Sequence, residues 1–450
     1  MKSAGRPRLL LVGMGTQGRP YLRCAHDDGA AASILDHERT FASPTVQAML
    51  GPGDQTYLVP ENAATEEWLA AAGAALAEAP PDGVVAFGEQ HVLPAALVAD
   101  ELGLPGPGLR AALISRNKFL QRETWSRAGL RQPGYRLASD AAVAGAWAAD
   151  RYPVVAKPLD QSGSRGVRIV ADEAELRAWV NAESGGGPFL CEQLVSGPEY
   201  SCEVLVHDGE PVFTNVTAKL TAPPPYFVEV GHRVPARCGT ETVNAITWTA
   251  AAATAAIGMQ DGITHVEMRV MGQRPHLMEV AVRTPGDFIM DIIGLATGVD
   301  LFQSLVAISL GRAPQIAPTE RGAACVWFPA PPAGSVAPVK ALLAAADLPG
   351  VVHVDVMARP GSLVPPLLSS LDRVGSVVVQ ADDDDELDDR LDKVRALFSG
   401  QVADPDFGRA TRSARHADLD ALSDDDLHEL LRAALAQRHR RQATTGNADS

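Results

Sequence analysis

Lysine is scarce in this 450-residue chain, and so are cysteine, aromatic residues and long apolar runs. The five cysteines (Cys24, Cys191, Cys202, Cys238 and Cys325) are odd in number and scattered, and no CxxC pair occurs. That speaks against a disulfide framework or a structural zinc site and for a reducing, cytoplasmic setting. No apolar run reaches the roughly eighteen residues of a membrane span, so no membrane partner is expected. The first fifteen residues are basic and then apolar, but they end in glycines, not in a cleavage site, which suits a first β-strand better than a signal peptide. The net charge of −16 argues against nucleic acid. Only Lys2, Lys118, Lys157, Lys219, Lys340 and Lys393 are lysines; the other basic residues are arginine. With the high alanine content this looks like a codon bias that replaces surface lysines. A retained lysine is then informative, because its ammonium is a compact point charge that a planar guanidinium does not reproduce on phosphate.

The length suits two to four domains, and 46% hydrophobic residues can fill large cores. The densest chemistry lies in Thr264–Asp287, THVEMRVMGQRPHLMEVAVRTPGD. His265–Met271 and His276–Arg283 alternate as two strands around a Gly272–Pro275 turn, which reads as a β-hairpin. Glu267 and Glu279 fall one on each strand and can share a face, where two like charges need something positive between them. Hard cations such as Mg²⁺ take such oxygens together with phosphate. Arg283, at an even offset from Glu279, returns to the same face. The alternative is a surface hairpin with solvated glutamates.

Residues 1–112 read as one α/β domain with a parallel sheet. Its first strand, Arg8–Val12, runs into Gly13-Met-Gly15-Thr-Gln-Gly18, and Ile34-Leu35-Asp36 can supply a second strand with an acid. This fits a dinucleotide site, but also any tight βα turn. Ser115–Gly129 reads as a helix with Ser115 as N-cap. Lys118 in its first turn opposes the helix dipole, so another contact should hold it. Tyr152–Lys157 and Val167–Val170 form a hairpin whose tip, Gln161–Gly166, offers backbone N–H groups to an anion; a Walker A motif is absent. Strands follow at Phe189–Val195, Tyr200–His207 and Asn215–Leu220, then the stretch FVEVGHRVPA with His232, whose ordinary role would be structural. Thr242–Gly258, Phe288–Thr297 and Leu301–Leu310 read as helices. From about 322 to 400 a small α/β unit follows, with the acidic run Asp382–Asp389 opening its last helix. Leu422–Arg441 reads as an amphipathic helix and Thr444–Ser450 as a loose end.

Taken together, these motifs resemble the ATP-grasp superfamily over roughly residues 8–400. The resemblance implies α/β and α+β architecture: a Rossmann-like pre-ATP-grasp domain (1–112), a small subdomain with the phosphate loop (113–190), a large subdomain with the metal site (191–318), a C-terminal α/β unit (319–402) and a tail (403–450). It implies ATP and Mg²⁺, or Mn²⁺ in its place. Lys118, Lys157 and Lys219 would meet phosphates, as would the loop with Ser162, Gly163, Ser164 and Gly166. Glu192, Gln193 and Val195 would border the adenine and Glu199 the ribose. Glu267 and Glu279 would hold the metal, and Arg283 would steady the reacting phosphate and oxyanion. The stretch TAKLTAPPPYFVEVGHRVPA and the run RxxGDxI…ATGVD resemble carboxylate–amine ligases, including L-amino-acid ligases, which puts His232, Gly286 and Asp287 near substrate. Small carboxylate and amine substrates, amino acids among them, are implied, and homodimers are common in such enzymes. Two positions depart from the pattern: Ala281 replaces the asparagine of E-x-N-x-R, a third metal contact, and Pro285 replaces a glycine of R-x-G-G-D. Three other readings stay open. A biotin-carboxylase-like enzyme is disfavoured by EVGHRVPA. A non-catalytic nucleotide binder is motivated by Ala281. A nicotinamide oxidoreductase leaves the lysines and the glutamate pair unexplained.

Overall fold

The structure, a computed structural model, describes residues 6–15, 17–159, 161, 163–223, 226–319 and 322–398. Ser162 and the expected C-terminal helix at 422–441 lie outside the described residues.

Strands β1 (Arg8–Val12), β2 (Ala31–Asp36), β3 (Gln55–Leu58) and β4 (Gly83–Ala86) make a parallel sheet of order β3-β2-β1-β4. The run Leu9–Val12 is apolar throughout because the sheet is covered on both sides. Leu10 and Val12 pack with Trp68 and Ala72. Leu9 and Leu11 face the helices Ile289–Thr297 and Leu301–Ser309, and through them the largest sheet.

A smaller antiparallel sheet follows: β5 (Tyr135–Ala138), β6 (Val154–Pro158), β7 (Arg168–Val170) and β8 (Phe189–Gln193), in the order β5-β8-β6-β7. The third sheet has eight strands: β9 (Glu199–His207), β10 (Glu210–Thr221), β11 (Glu229–Val234), β12 (Gly262–Met271), β13 (Arg274–Ala281), β14 (Ala323–Trp327), β15 (Val351–Val356) and β16 (Gly375–Ala381). Their order is β13-β12-β9-β10-β11-β14-β16-β15. The C-terminal unit thus has its own apolar core, around Leu342, Leu387 and Trp327, yet its strands continue the large sheet through β11–β14 pairing. Arg233 and Arg237 clamp its last helix, Asp384–Ala396, through Asp384 and Asp388. Among the described residues no single helix is long and apolar enough to cross a membrane.

Three sequence-derived details are corrected. Ser115 ends the preceding helix, Leu109–Ser115, and its hydroxyl donates back to Ala112 O at 2.9 Å. Asn117 caps the next helix instead, accepting from the N–H of Phe119 and Leu120. The hairpin turn is shorter than expected: Gly272 and Gln273, both left-handed (φ 52° and 61°), form a two-residue turn, and Arg274 and Pro275 already belong to β13. The glycine loop after β1 is not open for a dinucleotide. Asp36 accepts hydrogen bonds from the N–H of Met14 (2.7 Å) and Gly15 (2.9 Å), so the acid expected to meet a ribose closes the loop on itself.

His91 fills the remaining space: a Cβ on Gly13 would lie 1.9 Å from its ring, at a φ of +69° that disfavours any side chain. Gly13→Ala is therefore expected to destabilise the N-terminal domain by about 3 kcal/mol or to prevent soluble folding. Calorimetric unfolding beside the parent protein measures this; an unchanged unfolding profile would contradict the packing described.

Candidate active site

The site forms where the two antiparallel sheets and the first domain meet, around a cavity of about 240 Å³. On β12, Val266, Met268 and Val270 point into the core under the helix Thr240–Ile257, which leaves His265, Glu267 and Arg269 on the cavity side. On β13, Leu277 and Val280 both face that same core although they are three residues apart. The cause is a β-bulge: pairing runs Met268↔Leu277 and then Glu267↔Glu279, with Met278 inserted. The two-residue turn alone would set Met278 opposite Glu267. The bulge brings Glu279 there instead and turns it into the cavity.

Each carboxylate of this pair carries its own cation. Lys219 on β10 donates to Glu267 (2.5 Å), Glu229 (3.1 Å) and Glu199 (3.2 Å), one carboxylate for each ammonium proton. Burial works against its charge, but Glu267, Glu229 and Glu199 overcome that and hold its pKa well above the usual lysine value. Burial likewise opposes the charge on Glu267, yet Lys219 and His265 keep it well below the ordinary carboxylate range. Lys118 meets Glu279 at 2.9 Å and the carbonyl of Gln161 at 2.7 Å, the contacts its place in a first helical turn calls for.

A second ionic cluster lies at the end of β6. Lys157 contacts Glu192 (2.7 Å), and the same carboxylate takes both prongs of Arg122 (2.7 and 3.2 Å). Two cations share one buried anion. Burial pushes Lys157 down to about 8 despite Glu192, while Arg122 and Lys157, against burial, bring Glu192 down to about 2. Glu192 thus spends its side chain on this triad. Gln193, Leu194 and Val195 line the cavity beside it, and Gln193 N–H is already committed to Gly134 O.

The other sequence-derived residues fall as follows. Glu199 also binds Arg269 at 2.6 Å. Gly163 and Ser164 line the cavity; Gly166 does not, and serves the hairpin by its positive φ and its close approach to Pro158. β13 ends at Ala281, so Arg283 lies beyond the strand whose alternation placed it; it still lines the cavity, held by Glu89 at 2.8 Å. Gly286, Asp287 and His232 line it too. His232 is buried and shares a hydrogen bond with Asp287 at 3.1 Å. Asp287 takes a left-handed φ of 58°, a costly state for a non-glycine residue, and Arg373 pins it at 2.7 Å.

Arg373, Glu89, Glu229, Arg122, Arg269 and the buried pair His265–Glu203 (2.8 Å) escaped sequence reading. Glu229 stood three residues before His232 on the same strand. The others carry no motif, because the contacts that bring them to the site, Arg122–Glu192, His265–Glu203, Arg269–Glu199, Glu89–Arg283 and Arg373–Asp287, each span 62 or more residues.

The residues at the hairpin fit a magnesium ion in donor chemistry: two carboxylates directly opposite each other, both turned into the cavity, offer the hard oxygen ligands such an ion takes. Ala281, also in the lining, adds no oxygen.

Residues 150–291 match the model of the ATP-grasp domain, and residues 326–403 that of L-amino acid ligase C-terminal domain 2. The chain is 30% identical over 308 residues to the "Uncharacterized protein y4rH" of Sinorhizobium fredii, covering 66% of this chain and 64% of that protein. It is 26% identical to alanine–anticapsin ligase of Bacillus subtilis over 255 residues, 50% of this chain and 53% of that enzyme. It therefore spans less than two thirds of both relatives. A crystal structure of L-amino acid ligase from Bacillus licheniformis superposes with a TM-score of 0.71 at 20% identity, over 87% of this chain and 98% of that one.

Glu192→Gln would leave Arg122 and Lys157 buried without their anion, at an expected cost of about 3–5 kcal/mol in denaturant unfolding. Because the carboxyl is depressed on folding, its stabilising effect is complete above its unfolded pKa of 4.5 and is lost as pH falls toward about 2. A variant as stable as the parent at pH 7 would show that the triad is not held as described. Residues 150–291 thus carry the match to the ATP-grasp domain and residues 326–403 the match to L-amino acid ligase C-terminal domain 2, in a chain whose fold is shared with a solved L-amino acid ligase.

Proposed function

We propose that this chain is an ATP-dependent carboxylate–amine ligase that joins small molecules, amino acids among them, through an acyl phosphate and releases ADP and phosphate. The observation that carries this reading is the convergence of Lys118, Lys157, Lys219, Glu267, Glu279 and Arg283 on one cavity. The five free cysteines suit a reducing cytoplasm.

In this reading the nucleotide lies between the two antiparallel sheets, with the adenine beside Gln193–Val195 and the ribose by Glu199. Lys118 and Lys157 stand where phosphate oxygens can replace the carboxylates they now hold. Glu267 and Glu279 would hold Mg²⁺, which when bound supplies positive charge against the phosphates. The acid substrate's carboxylate attacks the γ-phosphorus, ADP leaves, and an acyl phosphate remains. Arg283 sits to bind the transferring phosphoryl group and then the oxyanion formed when the amine attacks the acyl carbon. The amine loses a proton, phosphate departs and the amide is complete. The hairpin tip at Gly163–Ser164 and Ser370 of the C-terminal unit line the same cavity and keep water from the acyl phosphate.

Incubation with ATP, Mg²⁺ and pooled amino acids is expected to yield ADP and an amide in equal amounts, read by coupled ADP assay and mass spectrometry. Glu279→Gln should lower turnover by about a hundredfold or more. Neither product across a broad panel of acids and amines would count against the proposal.

The pH dependence tests one residue. Folding depresses Lys157, so its charged form drains away above about pH 8 in the free protein. The kcat/KM for ATP should fall above that pH, roughly tenfold per unit, and Lys157→Arg should remove this alkaline limb. A limb unmoved by Lys157→Arg would assign it to another group.

A further inference from the structure

A second crevice, of about 680 Å³, opens at the C-terminal ends of β1, β2 and β4. In the order β3-β2-β1-β4 the winding reverses between β1 and β4, the place where parallel sheets receive ligands. Its charge is the reverse of the chain's. Arg19, Arg39, Arg116 and Arg165 line it, although the net charge of the whole is −16. Two acids, Asp36 and Glu89, share the lining, and both are consumed. Asp36 accepts from the N–H of Met14, Gly15 and His37 and from the Thr40 hydroxyl. Glu89 is held between Arg116 (2.9 Å) and Arg283 (2.8 Å). Neither is left for a cationic guest.

Guanidinium capacity remains. The buried Nε of Arg19 has no hydrogen-bond partner among the described residues. The ion pair of Arg39 with Glu61 joins two solvent-exposed side chains and is worth little. The loop N–H groups that would grip phosphate in a dinucleotide site are taken by Asp36, so an anion here would be held by side chains, through the forked geometry arginine offers to carboxylate or phosphate. Glu89 lines both this crevice and the main cavity, so the two share a wall at Glu89, which Arg283 holds from the main-cavity side.

We propose that this crevice is the subsite for a second oxyanion on one of the two ligated molecules. The substrate class is a small acid or amine that carries a further carboxylate or phosphate, with its reacting end beside Arg283 and its far end among Arg19, Arg39 and Arg116. The inference rests on the ligase reading above and deepens it.

The test compares ADP release on matched pairs: glutamate with glutamine, aspartate with asparagine, phosphoserine with serine. The acidic member of at least one pair should be preferred by about tenfold in kcat/KM, and whether it is a carboxylate or the phosphate one names the oxyanion. Arg39→Ala, at a side chain 74% exposed and so dispensable for folding, should cut that preference at least fivefold, whereas Arg39→Lys should retain most of it. Equal use of neutral and acidic members, or a preference untouched by Arg39→Ala, would overturn the proposal. Should no pair release ADP while the broad panel does, the subsite proposal fails and the ligase reading stands; should the broad panel release none either, the ligase reading fails on its own. The subsite is then tested by calorimetric titration of glutarate and of inorganic phosphate in the presence of ADP. Binding weakened at least fivefold by Arg39→Ala supports it; equal binding by both proteins, or none by either, overturns it.

Discussion

Two glutamates placed directly opposite each other on neighbouring strands, Glu267 and Glu279, set the constraint the rest of this molecule answers. Like charges in that position repel, and away from water they repel more strongly. The chain resolves the conflict with lysines delivered from separate elements. Lys219 comes from β10, and Lys118 comes from the helix that follows the first domain. A third, Lys157, enters from the small sheet with its own carboxylate, Glu192, and a shared arginine. Such pairs are poor sources of net stability, because desolvation offsets most of the attraction. They are suited to exchange: an ammonium that neutralises a carboxylate can turn to a phosphate oxygen when one arrives.

The same logic ties the outer units to the site. Arg283 reaches the first domain through Glu89, which a second arginine, Arg116, also holds; burial opposes its charge, and Arg283 and Arg116 keep its pKa below the ordinary value. Asp287 reaches the C-terminal unit through Arg373, which lies over the face of Phe328 and also contacts Glu229, one of the partners of Lys219. A chain of ion pairs therefore runs from the parallel sheet through the hairpin to the last strands. The apolar core takes a parallel route, with Leu9, Leu205, Ile292 and Val378 in one cluster. Packing fixes the three sheets, and the ionic network aims the groups that chemistry would use.

Much of this was legible in the sequence where local pattern decides structure. The alternation in THVEMRV and the apolar run of β1 are present as read, and the alanine-rich helix before the hairpin and the strand carrying Lys157 are present with ends shifted by one or two residues, at Thr240–Ile257 and Val154–Pro158. The retained lysines proved informative: the three central ones line one cavity. What escaped depends on distance along the chain or on a one-residue irregularity. The bulge at Met278 cannot be seen in alternation alone, and without it Glu279 would not face Glu267. The glycine pattern after β1 fits a dinucleotide site or any tight βα turn, and Asp36, which takes the loop N–H groups, together with His91 packed against Gly13, decides for the turn. Ser115 and Asn117 are both good caps on paper; backbone conformation selected Asn117. Arg373 had no pattern to betray it, because its partners are 45 to 144 residues away.

The lining of the main cavity holds seven carboxylates against five lysine and arginine side chains, so a triphosphate entering alone meets excess negative charge. Nucleotide binding should accordingly be conditional on a divalent cation that the glutamate pair can hold. Calorimetric titration of ATP into the 450-residue protein, with Mg²⁺ and then with a chelator in its place, measures this directly. Affinity lower by on the order of a hundredfold in the chelator is the predicted result. Equal affinity in both buffers would contradict the central claim that Glu267 and Glu279 form a metal site serving the nucleotide.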